Sequence, residues 1–143
     1  MSGPGAAVCP GVKLPGLHLP PIEAAVLERY AAASGDHARI HLDDETARAA
    51  GFPGVIAHGL LIMAYLGRAI GGWYPEGALR GFSCRFMAVT LLGDRLTCCG
   101  TVVTLTTNAA EQLTELDVSV VDQHGGLKLK GTATIAAPVD DSE

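Results

Sequence analysis

The spacing of apolar positions changes period partway along the chain, helical upstream of Pro75 and alternating every second residue downstream. "PIEAAVLERYAAAS" predicts a helix with Pro21 at its first position, good helix formers behind it and a stop at Ser34-Gly35. "HLDDETARAAGFPG" predicts a second, two-turn helix. There Asp43 suits the N-cap, Asp44 and Glu45 suit the positive helix end, and Gly51 with Pro53 ends it. From His58 to Trp73 the residues are apolar nearly all round, interrupted by Arg68 and closed by Gly71-Gly72 and Pro75. A helix without a polar face is one buried on several sides.

Four alternating segments follow: "RGFSCRFMAVTLL", "RLTCCGTVVTLTT", "EQLTELDVSVVD" and "GLKLKGTATIAA". They are rich in β-branched residues and separated by the turn signals "GD", "NAAE" and "QHGG", so they predict antiparallel strands. Upstream, "VKLPGLHLPP" has room for a short strand, which its prolines restrict to a sheet edge. Helices first and strands afterwards describe an α+β chain. A single sheet covers one side of the buried helix, so the economical arrangement is a curled sheet wrapped round it, with a second copy closing the rest. The 143 residues suit one domain, with residues 1–11 and 138–143 expected as loose ends.

Composition narrows the class. Residues of the AVILMFWYC set make up 48% and charged residues 17%, a globular rather than disordered balance. Net charge is −5 and the ten Lys and Arg are scattered, so the basic stripe that nucleic acid binding needs is missing. No apolar run reaches membrane-spanning length, and "MSGPGAAVCPG" lacks the regions of a signal peptide, so a cytoplasmic location is expected. Cys9, Cys84, Cys98 and Cys99 form no C-x-x-C pair and are expected as reduced thiols, with Cys84 and one of the adjacent pair in the core. Cys98 and Cys99, neighbours on a strand, should point to opposite faces.

Two short stretches carry candidate chemistry. "SGDHARIH" places Asp36 and His41 five residues apart in a Gly-containing turn, and "AHGLL" puts His58-Gly59 at the start of the apolar helix. The run "YAAASGDHARIHLDDETARAAGFPGVIAHGLL" resembles the signature of the MaoC-like, (R)-specific enoyl-CoA hydratases, hotdog-fold enzymes also called hydratase 2. Their pattern is Ser-Gly-Asp-x-Asn-Pro-x-His, then Asp, then Ala-His-Gly. "FMAVTLLGDRLTCCGTV" is similar to the family's strand ending in Gly-Asp, and "GLKLKGTATI" to its final strand, so the resemblance covers residues 12–137. Ala38-Arg39 stands where the family has Asn-Pro, and the central helix carries no Ser or Thr between His58 and Trp73.

The resemblance implies a hotdog fold, an acyl thioester of CoA or acyl carrier protein as substrate, and a homodimer or dimer of dimers. It implies no cofactor. Hydration of a trans-2-enoyl thioester needs a held water, a proton for C2 and a stabiliser for the enolate oxygen. The resemblance gives the first two to Asp36 and His41, with the acid and base roles open between them. The helix start offers unpaired N–H groups, and Gly59, having no side chain, lets a thioester carbonyl approach its amide. His58 is expected to orient that helix start. Asp36 also has a plain alternative as a turn cap, and His41 as a buried hydrogen-bonding imidazole. His37 and His41 have i,i+4 spacing, but "GDHARI" does not read as helix and no third ligand is evident, so no metal is expected.

Hydration to an (R)-3-hydroxyacyl thioester is the leading expectation. A (3R)-hydroxyacyl-ACP dehydratase uses the same site in reverse. A hotdog thioesterase is disfavoured, since Leu60 to Gly72 holds no Asp or Glu. A non-catalytic partner subunit is disfavoured by the retained Asp/His pair.

Overall fold

A computed structural model describes residues 11–139. In chain order it contains β1 (Leu17–His18), α1 (Ala24–Ser34), a 3-10 turn (Arg39–His41), α2 (Asp44–Ala49), α3 (Gly59–Trp73), β2 (Ala78–Phe86), β3 (Thr97–Thr107), β4 (Glu111–Val121) and β5 (Leu127–Pro138). The strands form one antiparallel sheet in the order β1-β3-β4-β5-β2, curled over α3 in the expected hotdog arrangement and not closed into a barrel.

Where local chemistry decides, the elements follow the sequence. Gly35 takes the left-handed conformation, φ 78°, and its N–H donates to the Ala31 carbonyl, which ends α1. The Asp43 side chain accepts from the Thr46 N–H and caps α2, and Gly51 at φ 97° turns the chain away after it. In β4 the residues Thr114, Leu116, Val118 and Val120 are buried while Glu115 and Asp117 are exposed, the alternation of a sheet with one covered face.

Four expectations change. First, α1 begins at Ala24 with Glu23 as N-cap, and Pro21 lies outside the helix. Ile22 is tied to the distant Gly93-Asp94 pair, its N–H donating to the Asp94 carbonyl and its carbonyl accepting from the Gly93 N–H, and its side chain is buried. Second, β2 ends at Phe86, and the Met87 and Ala88 N–H groups both donate to the Lys128 carbonyl, so the remainder of the expected strand leaves the ladder. Third, the "GD" turn signal does not join two neighbouring strands: β2 pairs with β5 and not with β3, and the stretch from Met87 to Leu96 carries the chain across to β3. Fourth, Pro138 closes β5 opposite Glu111, and the Gly11 N–H donates to the Val102 carbonyl, so these two positions are tied to the sheet. The other residues expected as loose ends, Val139 apart, lie outside the described ones, as does Cys9.

The core forms where α3 meets the inner face of the sheet. Leu66 is 0% exposed and packs with Ile62, Ile70 and Trp73 against Val102, Leu116 and Leu129. Full burial of one such side chain is worth about 1.5–3 kcal/mol. The Trp73 indole lies on Gly100, where a Cβ would come within 2.7 Å of its ring, and its Nε1–H donates to the Pro15 carbonyl. The opposite face of α3 is not covered in the single chain: Leu60 is 62% exposed, and Ala64 and Arg68 are open as well. Cys98 is buried in the core, Cys84 and Cys99 are half-buried, and all three are free thiols. Burial, with Cys99 beside it, pushes the Cys98 thiol up to about 12. Among the described residues no helix is long and apolar enough to cross a membrane.

Candidate active site

The site begins where α1 stops. After Gly35 reverses the chain, the Asp36 N–H donates to the Ser34 hydroxyl and the Ala38 N–H donates to Asp36 Oδ1 at 3.2 Å. Asp36 thus does cap its turn, through one carboxylate oxygen. Its other oxygen, Oδ2, lies 3.9 Å from His41 Nε2, which the 3-10 turn presents from the far side of the loop. Half of the Asp36 side chain is exposed, whereas His41 is buried.

His41 is held at its back. Its Nδ1 is 2.8 Å from the Ile56 carbonyl, and because a carbonyl only accepts, Nδ1 carries the proton. In the neutral ring Nε2 is then a lone pair facing Asp36. Residues 55–57 are fixed from several sides. The Val55 N–H donates to Asp44 Oδ1, the Ile56 N–H to the Ile40 carbonyl, and the Ala57 N–H to the Thr90 carbonyl. This extended stretch delivers the chain to α3, whose first residue is Gly59. As N1 of the helix, Gly59 has an N–H with no intrahelical acceptor.

His58 joins the two stretches. Its Nε2 is 3.1 Å from the Asp36 carbonyl, its ring stacks on His41 with centroids 3.9 Å apart, and Tyr30 of α1 meets it edge-on at 4.7 Å. His58 also supplies the third potential ligand that sequence spacing did not, since nitrogens of both rings and an Asp36 oxygen lie within 4.8 Å of one another. The ring planes are only 24° from parallel, so their in-plane lone pairs do not converge on one ion. His58 Nε2 is moreover engaged as a donor. That arrangement does not suit a metal.

His41 and Gly59 face a cavity of about 340 Å³ whose wall is otherwise largely apolar, with Ile56, Ile62, Phe86, Met87 and Val89. The Phe86 ring lies against Gly59, where a Cβ would meet a ring carbon at 3.0 Å. Lys128 also lines the cavity, with its Nζ donating to the Val89 carbonyl at 2.8 Å and standing 3.4 and 3.8 Å from Asp122 and Asp94. Phe86, Thr90 and Lys128 were not picked out from the sequence. The signal available was slight: a lone Thr in the apolar run Phe86–Leu92, and a Lys on a strand.

The geometry unites Asp36, His41, His58 and Gly59 and leaves His37 outside the cluster. The family model described as MaoC like domain matches residues 16–123. The 3-hydroxyacyl-thioester dehydratase X of Mycobacterium tuberculosis is 42% identical over 71 residues, which are 50% of this chain and 25% of that protein. The chain thus spans less than half the length of the curated relatives it matches. An (R)-hydratase from A. caviae involved in PHA biosynthesis superposes with a TM-score of 0.84 at 26% identity, over 94% of this chain and 100% of that one. R-Hydratase PhaJ1 from Pseudomonas aeruginosa gives 0.82 at 29% identity, over 93% and 84%.

Proposed function

The chain belongs to the MaoC-like domain family, and on that premise we propose that it reversibly hydrates a trans-2-enoyl thioester to an (R)-3-hydroxyacyl thioester. One observation carries the reading: Asp36 Oδ2 stands 3.9 Å from His41 Nε2, and His41 lines one cavity with Gly59, the first residue of α3.

Both facing atoms are acceptors when the imidazole is neutral, so they cannot bond each other, but one water can donate a proton to each. Its oxygen is then free to attack. As the C3–O bond forms, one of the two groups takes a proton from the water. The π electrons of the C2–C3 bond move toward the thioester, making an enolate. The Gly59 N–H and the positive end of α3 meet the charge that develops on the carbonyl oxygen. The proton gained by the Asp36/His41 pair then passes to C2, so hydrogen and hydroxyl add on one face. Run backwards, the same steps eliminate water, which makes a 3-hydroxyacyl dehydratase the same site working in the other direction. The apolar wall, with Ile56, Ile62 and Val89, suits the acyl chain.

A homodimer belongs to the same proposal. The open face of α3 with Leu60, and the edge strand β2 with Leu79 and Phe86 exposed, offer an apolar face and a strand edge that no described strand pairs. A cytoplasmic location also belongs to it, supported by the free thiols of Cys84, Cys98 and Cys99.

The test is a panel of trans-2-enoyl thioesters, short to long and on both CoA and carrier protein, with chiral analysis of the product. The expected product is the (R)-3-hydroxyacyl thioester, and the better carrier separates the hydratase from the carrier-protein dehydratase. Release of free thiol without hydration would replace this reading with a thioesterase.

A further inference from the structure

The hydration steps make no use of the lysine in the cavity wall. Lys128 lines the same cavity as His41 and Gly59, and its side chain is only 13% exposed. Lysine is rarely so buried unless it is paired. The strand pairing shows how it gets there. Val120 pairs with Leu129 and Val121 with Leu127, so Lys128 is the extra residue of a bulge in β5. A bulge interrupts the alternation of a strand and re-aims one side chain.

The re-aimed ammonium meets the connection between β2 and β3. Nζ donates to the Val89 carbonyl at 2.8 Å and stands 3.8 Å from Asp94 Oδ2 and 3.4 Å from Asp122 Oδ2. Both carboxylates are tied down in turn. Asp94 accepts from the Leu91 N–H and from Gln123 Nε2, and Asp122 from the N–H groups of His124 and Gly126. The Lys128 carbonyl takes the Met87 and Ala88 N–H groups as well. Residue 128 thus grips the segment from Met87 to Leu91 through its backbone and its side chain together.

That segment supplies Met87, Ala88 and Val89 to the cavity wall. It is also joined to the stretch that backs His41. The Thr90 carbonyl accepts from the Ala57 N–H, and Leu91 bridges to Ile56, whose own carbonyl holds His41 Nδ1. Well-packed apolar residues are often as stabilising as a buried ion cluster, so stability alone gives no reason for this one. We propose that Lys128 is a positioning residue: its ammonium fixes the Met87–Leu91 wall relative to the Asp36/His41 pair. It thereby sets where C3 of the bound enoyl group stands and how much acyl chain fits beside it. The inference rests on the hydratase reading above and adds to it a residue that acts through the wall and not on the reacting atoms.

Lys128→Met, made in the whole chain, keeps the length of the side chain and removes its charge. Kinetics are taken with crotonyl-CoA and trans-2-octenoyl-CoA, together with thermal midpoints and hydrogen exchange of the amides at 87–91. In the variant kcat with crotonyl-CoA should fall roughly tenfold. The ratio of kcat/KM for the octenoyl to the crotonyl substrate should shift roughly threefold or more. Exchange should quicken at 87–91 and hold in β3 and β4. Gly100→Ala, which crowds Trp73 at the other end of α3, should lower the thermal midpoint and keep the parent's ratio. Should Lys128→Met not fold, Lys128→Gln takes the same assays. A folded variant with the parent's kcat, ratio or exchange overturns the inference, as does a shift in ratio that Gly100→Ala reproduces. If Asp36→Asn is inactive while Lys128→Met matches the parent, only the Lys128 role falls. If the parent chain hydrates no enoyl thioester, the hydratase reading falls and takes the Lys128 role with it.

Discussion

The imidazole of His58 is stacked on that of His41, with centroids 3.9 Å apart, and its Nε2–H reaches across to the Asp36 carbonyl at 3.1 Å. One side chain thus braces both halves of the Asp36/His41 pair and, as N-cap residue, also sets where α3 begins. The brace is aromatic on one side and a single hydrogen bond on the other, so its two parts separate by substitution.

His58→Phe keeps a flat ring against His41 and removes the bond to Asp36. With the loop position less fixed, kcat should fall by roughly tenfold while KM changes little. His58→Ala, which loses both supports, should fall further. Steady-state kinetics on the two variants check this, and parent-like kcat in His58→Phe would contradict it.

Gly59→Ala places a methyl 3.0 Å from a Phe86 ring carbon and beside the amide proposed to hold the thioester carbonyl. Alanine is the better helix former, so thermal stability should hold or rise. Activity should fall by roughly tenfold or more, because displacement of the reacting carbonyl is costly. Adding Phe86→Leu relieves the ring contact and should not restore the rate. Full recovery would mean that the ring, and not access to the amide, was the cause.

How much of this was legible in the sequence depended on how far apart the deciding groups lie. Gly35 and Asp43 end and begin their helices through partners three or four residues away, and both were readable. The pairing of Asp36 with His41 is likewise local to one turn. Pro21 is not a helix start because the Asp94 carbonyl, far along the chain, takes the Ile22 N–H. β2 lies beside β5 through pairs such as Ala78 with Ala136, a register that alternation cannot reveal. Phe86 and Lys128 come to the cavity from β2 and β5 by that long-range pairing, and Thr90 by its carbonyl bond to Ala57, so local pattern shows only the Asp/His and His-Gly parts of the site.

Gly100 lies under Trp73, and a Cβ there would stand 2.7 and 2.8 Å from two carbons of the indole. The ring is pinned by its bond to Pro15 and by the core around it. Gly100→Ala should therefore destabilise the chain by about 1–3 kcal/mol. A urea unfolding curve with a lower midpoint and unchanged slope is the expected result, and an unchanged midpoint would show that the indole moves freely.

Stability should also depend on acid. The Thr46 hydroxyl, and next its N–H, hold the Asp43 carboxyl below its usual value; the N–H groups of Gly126 and His124, with Lys128, do the same for Asp122. A carboxyl lowered in the folded state stabilises it fully above the unfolded value and loses that contribution as pH falls through the folded one. The thermal midpoint should thus drop on acidification below about pH 4. The Asp43→Asn, Asp122→Asn double variant should drop less steeply over that range, and an identical slope would contradict the assignment.

The account as a whole is tested most directly by initial rates of crotonyl-CoA hydration for the parent chain, Asp36→Asn and His41→Ala. Asn at position 36 keeps an oxygen for the Ala38 N–H, so the turn should survive while the carboxylate is lost. Each variant is predicted to keep its fold by circular dichroism and to lose roughly 100- to 10,000-fold in kcat. Parent-like rates in either folded variant would contradict the shared-water mechanism.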